Sequence, residues 1–226
     1  MPVQAGLYGH AVIFYLHGFA SSARSTKAAF FAAKFREAGL RFHTPDLNQP
    51  DFSTLTITRM VDQLTAALDA GSHEPATLMG SSLGGFVAVQ TALKRPARIK
   101  RLILLAPALE FDANRSRSLG DRGVDEWKRT NRLDVFHYGY GRMMPVHYEL
   151  FADAGRYDCV NAPLPMPIQV FQGRRDDAVD PAFVKRWASA RPNVELHLLD
   201  DDHQLGASLP FMWREVRRFL GLKGPG

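Results

Sequence analysis

Three residues of this chain have the types and the neighbourhoods that nucleophilic catalysis requires: Ser82, Asp176 and His203. A serine hydroxyl is a weak nucleophile at neutral pH, so it needs a base within hydrogen-bond reach and a third group to orient that base. Ser82 lies in Gly80-Ser81-Ser82-Leu83-Gly84, a G-x-S-x-G pattern entered from the apolar run Leu78-Met79 and left through Gly85-Phe86 into an amphipathic stretch. Glycines two residues before and after the serine remove side chains that would collide in a sharp strand-to-helix turn. Such a turn stands the hydroxyl proud of a sheet and points the first N–H groups of a helix at negative charge developing beside it. Ser81 is then the turn residue. A phosphate-binding loop fits poorly, because neither G-x-x-x-x-G-K-[ST] nor G-x-G-x-x-G can be read here.

His203 is the candidate base, taking the Ser82 proton and returning it to the leaving group, and Asp176 is the candidate acid that fixes the imidazole tautomer. Asp177 is its rival by adjacency, whereas Asp180, followed by Pro181, reads as a helix N-cap. An acyl-transfer site also needs backbone N–H groups facing the oxyanion, and losing one such donor typically costs ~100- to 1000-fold in rate. Leu83, directly after the nucleophile, supplies one candidate, and Phe19, in the loop His17-Gly18-Phe19 after an early strand, supplies the other. His17 reads as an organiser of that loop at the edge of the substrate site.

Tyr15-Leu16-His17-Gly18-Phe19 followed by Ser21-Ser22, together with Gly80-Ser81-Ser82-Leu83-Gly84-Gly85, resemble the α/β-hydrolase superfamily, and most of all its small bacterial YqiA/YcfP-type esterases. The resemblance extends over nearly the whole chain and implies hydrolysis of a carboxylic ester or thioester through an acyl-enzyme, without a cofactor. The chain order Ser82, Asp176, His203 is the order of that superfamily. Two features depart from it: Asp200-Asp201-Asp202 precedes His203 in place of a glycine-containing turn, and Arg174-Arg175 stand beside Asp176, where they would hold its carboxylate down.

The elements that must position these groups follow from the hydrophobic pattern. Ala11 to Leu16, Leu40 to Thr44, Ala76 to Met79, Leu102 to Leu105, Ile168 to Phe171 and Val194 to Leu199 have strand length and composition. Helices are expected from about Ser25 to Ala38, from Ile57 to Gly71, from Phe86 to Leu93, from Pro181 through Trp187, and from Leu209 to Leu220. Alternation of strand and helix predicts an α/β protein, a mostly parallel sheet with helices on both faces, in a single domain over 1–226. Between Glu110 and Pro167 no clean strand can be read, and the length exceeds a simple crossover, so a small inserted helical cap is expected at about 111–165. Lys223 to Gly226 reads as a frayed end.

Phe136, His137, Tyr138, Tyr140, Met143, Met144, His147 and Tyr148 make that insertion the richest aromatic and methionine patch of the chain. Phe136, Tyr138, Tyr140, Met143 and Met144 are candidates for an acyl pocket, with packing of the cap as the competing use. Acids and bases balance between Phe111 and Val160, which points to an uncharged ester of small to medium acyl length. The competing functions are an acyl-CoA thioesterase or C–C bond hydrolase with the same triad, and a non-catalytic binding scaffold, which the complete set of three residues disfavours.

Composition narrows the partners. Hydrophobic content of 46%, charged content of 23% and 226 residues suit one globular domain. The net charge of +5 is spread out, and the densest group, Lys94, Arg95, Arg98, Lys100 and Arg101, precedes a strand and so belongs to the face opposite the site; no nucleic-acid partner is expected. The single cysteine, Cys159, makes no intramolecular disulfide, and the apolar run at Ala11 is far too short for a signal or membrane segment. Cytoplasmic residence without a membrane partner is the expectation. The eight histidines show neither H-E-x-x-H nor a Cys/His spacing, so no metal site is expected.

Overall fold

The computed structural model describes residues 12–71 and 74–222; Ala11 and the segment from Lys223 lie outside them. Its first strand, β1 (Val12–Leu16), is buried at every position, as a strand covered on both faces must be. Helix α1 (Thr26–Glu37) follows, with Ser25 capping the N–H of Ala28. Next come β2 (Arg41–His43), α2 (Ile57–Ala70), β3 (Ala76–Ser81) and α3 (Leu83–Lys94). Helix α3 thus starts at Leu83, one turn earlier than its apolar pattern suggested.

Strand β4 (Ile99–Leu105) leads into the insertion. The insertion holds α4 (Phe111–Thr130), a hairpin of β5 (Leu133–His137) and β6 (Arg142–Val146), and α5 (Glu149–Ala154). It is helical at its ends, but the hairpin in its middle was not legible. The pairing of Phe136 with Met143 and Val135 with Met144 puts an aromatic or methionine residue on both faces, and the inward face covers a body it cannot be distinguished from by pattern. The chain returns as β7 (Ile168–Gly173), α6 (Pro181–Ser189), β8 (Val194–Leu199) and α7 (Leu209–Leu220). Asp180 caps α6 by accepting from Ala182 and Phe183, with Pro181 at the first position.

The main sheet is wholly parallel in the order β2-β1-β3-β4-β7-β8. Alternate side chains divide it between two cores. Val12, Phe14, Leu16, Leu78, Leu102 and Leu104 face the core that holds the apolar stripes of α2, α3 and α6. Ile13, Tyr15, Met79, Ile103 and Leu105 face the core under α1 and α7. The strand order reverses direction between β1 and β3, and in such sheets the crevice outside the carboxyl ends at that point is where a ligand fits. The basic group at the start of β4 lies at the opposite end, where Lys94 pairs with Asp62 (2.5 Å), and Arg95 and Arg98 pair with Asp69.

Candidate active site

Ser82 occupies the junction of β3 and α3 with φ 53° and ψ −116°, a conformation that non-glycine residues rarely adopt. Its surroundings fix it there: its N–H donates to the Leu105 carbonyl (2.9 Å), and its own carbonyl accepts from Gly85 (2.9 Å) and Ala108 (3.1 Å). Gly84 has to be a glycine, because any Cβ would overlap the carbonyl of Leu16 at the end of β1. Gly18 brings the loop after β1 against the elbow; a Cβ there would stand 3.3 Å from both the Ser81 carbonyl oxygen and the Ser82 Cβ.

The structure brings Ser82, His203 and Asp176 together across 121 residues of chain. His203 Nε2 lies 3.1 Å from Ser82 Oγ, and His203 Nδ1 lies 2.8 Å from Asp176 Oδ2. Asp176 has a fully buried side chain. Its Oδ2 also accepts from the Gln172 amide (2.8 Å), and its Oδ1 accepts from the N–H groups of Ala178 (2.9 Å) and Val179 (2.8 Å). Burial pushes this carboxyl up. The hydrogen bond and charge of His203, with the Val179 N–H and the Gln172 amide, outweigh that and hold it below the ordinary carboxylate range. An ionised Asp176 keeps the proton on Nδ1 and leaves Nε2 as the acceptor facing Ser82.

Asp177 is exposed at the mouth of the site. Arg175 turns away from Asp176 to pair with Asp200, so the basic pair is not what lowers the Asp176 carboxyl. The three aspartates before His203 build its turn: Asp201 accepts from Asp202 and Ser208, and Asp202 accepts from Gln204. Beside them Lys27 donates to the Gln204 carbonyl (2.8 Å). Burial brings its ammonium down to about 8, against the pull of Asp176, Asp202 and Asp201.

The N–H groups of Phe19 and Leu83 donate to no protein acceptor among the described residues. Leu83 is the first residue of α3, where helical N–H groups have no intrahelical partner. His17 is buried behind this loop and does not line the cavity. Its Nε2 accepts from the Leu47 N–H (3.0 Å) and its Nδ1 lies 3.0 Å from the Gly18 carbonyl, so it ties the loop after β1 to the one after β2.

In front of Ser82 and His203 opens a cavity of about 860 Å³, also lined by Phe19, Phe111, Phe136 and Tyr138. Tyr140, Met143 and Met144, expected in an acyl pocket, do not line it. Met143 follows Phe136 on the outer face of the hairpin, Met144 packs inward on the core, and Tyr140 stacks on His137 (4.0 Å). Arg115, which no motif or spacing in the sequence marks, does line the cavity. Elsewhere, Glu195 and His197 of β8 and Glu215 of α7 offer ligand-type atoms within 4.8 Å of one another. Arg218 pairs with both of these glutamates and Arg214 with Glu215, which supplies their countercharge. The pairing of strand with helix makes this cluster, and no short spacing could have revealed it.

A model of the uncharacterised protein family UPF0227 matches residues 12–219. The chain belongs to that family. Among curated proteins, this UPF0227 member is 24% identical over 182 residues to the mouse mitochondrial palmitoyl-protein thioesterase ABHD10, covering 74% of the chain and 59% of that protein. The chain therefore spans less than two thirds of the length of that relative. The mouse ABHD10 structure superposes with a TM-score of 0.79 at 20% identity, covering 92% of this chain and 89% of that one. Est1E from Butyrivibrio proteoclasticus with bound ferulic acid gives a TM-score of 0.79 at 19% identity, covering 93% and 88%. The fold is thus the α/β-hydrolase fold, carrying a small antiparallel hairpin in its insertion. Among the described residues, no helix is long and apolar enough to cross a membrane.

Proposed function

We propose that this chain is a serine hydrolase cleaving carboxylic esters of small to medium acyl groups through an acyl-enzyme. The observation that carries the reading is the continuous relay from Ser82 Oγ through His203 to the buried carboxylate of Asp176. Attack begins as His203 Nε2 takes the Ser82 proton and Oγ bonds to the ester carbonyl carbon. The carbonyl oxygen becomes an oxyanion facing the Phe19 and Leu83 N–H groups. Collapse breaks the bond to the alcohol, which leaves with the proton from His203. Water, deprotonated by His203, then attacks the acyl-serine, and Ser82 recovers its proton as the acid departs. Asp176 stays ionised and stabilises the imidazolium in both halves. The cavity in front of Ser82 gives room for the acyl chain, and Phe136 and Tyr138 offer it an apolar wall.

Thioester hydrolysis by the same residues is the second reading, favoured by the palmitoyl-protein thioesterase among its relatives. The test is an assay of p-nitrophenyl esters of increasing chain length beside acyl-CoAs, with Ser82→Ala as control. Asp176→Asn is expected to lower kcat by roughly 10,000-fold, the scale seen when a triad carboxylate is neutralised, while Asp177→Asn stays within a few-fold of wild type. Equal, slow hydrolysis by wild type and Ser82→Ala would end the enzyme reading, and a reversal of the two aspartate variants would move the acid to Asp177.

A further inference from the structure

Arg115 stands in the second turn of α4 and contributes to the cavity wall in front of Ser82. Its guanidinium lies 5.0 Å from the ring centre of Phe19 and 5.5 Å from that of Phe111. These rings orient the cation without neutralising it. Among the described residues no carboxylate lies within 4.0 Å of it, and its buried Nε has no hydrogen-bond partner. Arg59 also has a buried Nε without a partner, but its terminal nitrogens take the carbonyls of Thr54 and Asp51, as a terminal nitrogen of Arg191 takes that of Trp187. A buried guanidinium nitrogen without an acceptor is costly, and burial draws Arg115 below the usual arginine range. Among the described residues that line the cavity the charges are lopsided, with Arg24 and Lys27 cationic and Asp177 the one acid. The even balance of charge along the insertion, which argued for an uncharged ester, does not survive in space.

We infer that Arg115 is an anion subsite of this cavity, so that the preferred ester or thioester carries an oxyanion group, a carboxylate on the acyl part or a phosphate on the leaving part. The planar fork of a guanidinium matches either group with two parallel hydrogen bonds. The inference rests on the serine-hydrolase reading for its consequence in catalysis, though the subsite itself can be measured without turnover.

Two matched substrate pairs test it. Mono-p-nitrophenyl glutarate differs from p-nitrophenyl valerate by a terminal carboxylate, and butyryl-CoA differs from S-butyryl-N-acetylcysteamine by its nucleotide phosphates. Arg115→Met keeps an unbranched stem against Phe19 and Phe111 but removes the charge, whereas Arg115→Lys keeps a charge without the fork. In at least one pair, Arg115→Met is expected to lower kcat/KM for the charged member about 10- to 100-fold, mainly through KM, while the neutral member stays within about threefold. Arg115→Lys should recover part of the loss. A loss confined to the glutarate ester assigns the carboxylate, a loss confined to butyryl-CoA assigns the phosphate, and a loss on both assigns an unselective oxyanion site. Equal losses on charged and neutral members would reduce Arg115 to a support for Phe19, and no loss on any member would remove the subsite. If the wild type hydrolyses none of the four compounds, the hydrolase reading has failed separately. Calorimetric titration with glutarate and with inorganic phosphate then decides the subsite: binding abolished by Arg115→Met retains it, and no binding to wild type ends it.

Discussion

The imidazole of His203 is held by its Nδ1 hydrogen, and the carboxylate that holds it is itself saturated by Gln172, Ala178 and Val179. This saturation has a consequence for stability. In the fold Asp176 titrates below the ordinary carboxylate value of about 3.9 expected of an unfolded chain. The unfolded chain therefore binds the proton more tightly. The contribution of Asp176 to stability is complete above the unfolded value and is lost as pH falls through the folded one. Urea unfolding of wild type and Asp176→Asn should show a stability gap that is widest above about pH 5 and closes below about pH 4. A gap of constant size from neutral to acid pH would show that Asp176 binds its proton equally tightly in the folded and unfolded chain. Cys159, by contrast, is a packing residue: it is buried, the Gln90 amide donates to its sulfur (3.1 Å), and burial pushes the thiol up.

Among the elements, α4, the hairpin and α5 meet at one side chain. Trp127 of α4 is 1% exposed, and its indole N–H donates to the Val146 carbonyl at the end of β6 (2.9 Å). Its ring meets Tyr148 and Phe151 edge-on, at 5.8 and 5.9 Å. Loss of a buried tryptophan to alanine typically costs about 3–5 kcal/mol, from lost burial and the cavity left behind. Trp127→Ala is expected to lose that much in urea unfolding. Trp127→Phe, which keeps most of the packing but removes the indole donor to the Val146 carbonyl, should lose about 0.5–1.5 kcal/mol. A loss below 1 kcal/mol for the alanine variant would mean that α4 is anchored by its other apolar contacts, Phe111 and Leu119.

At the scale of the whole molecule, the insertion and the sheet share a core: Phe111, Trp127, Val146 and Leu150 belong to the same cluster as Val87, Leu102 and Val170. We propose on this ground that residues of the insertion and the body fold as one domain. Trp127 reports on the insertion and Trp213, edge-on to Phe35 at 5.1 Å, reports on the opposite face of the sheet. In a variant that keeps Trp127 and carries Trp187→Phe and Trp213→Phe, the urea midpoint read by Trp127 fluorescence should coincide with that read by circular dichroism on the same protein, as in a cooperative single domain. A fluorescence midpoint below the circular-dichroism midpoint of that variant would make the insertion a separate unit.

Local chemistry was legible from the sequence because it is written in short spacings. The G-x-S-x-G pattern marked an elbow whose backbone does take the strained turn, Asp180-Pro181 marked a helix start, and period-two and period-3.6 apolar runs marked most strands and helices of the sheet. Ser82, Asp176 and His203 could be nominated because each stands just beyond a strand, and a parallel sheet gathers such ends at one edge. The choice of Asp176 over Asp177 in contact with His203 belonged to the tertiary structure, since neighbouring residues share a sequence context but point to opposite sides. The hairpin and the cavity wall were decided there too. Which of Phe136, Tyr140, Met143 and Met144 faces the cavity depends on cross-strand register, and that register is fixed by partners distant in sequence. Arg115 was hidden for the same reason: in the sequence it is one base among balancing acids, and only the folded chain sets it against Phe19 and Phe111 on the cavity wall.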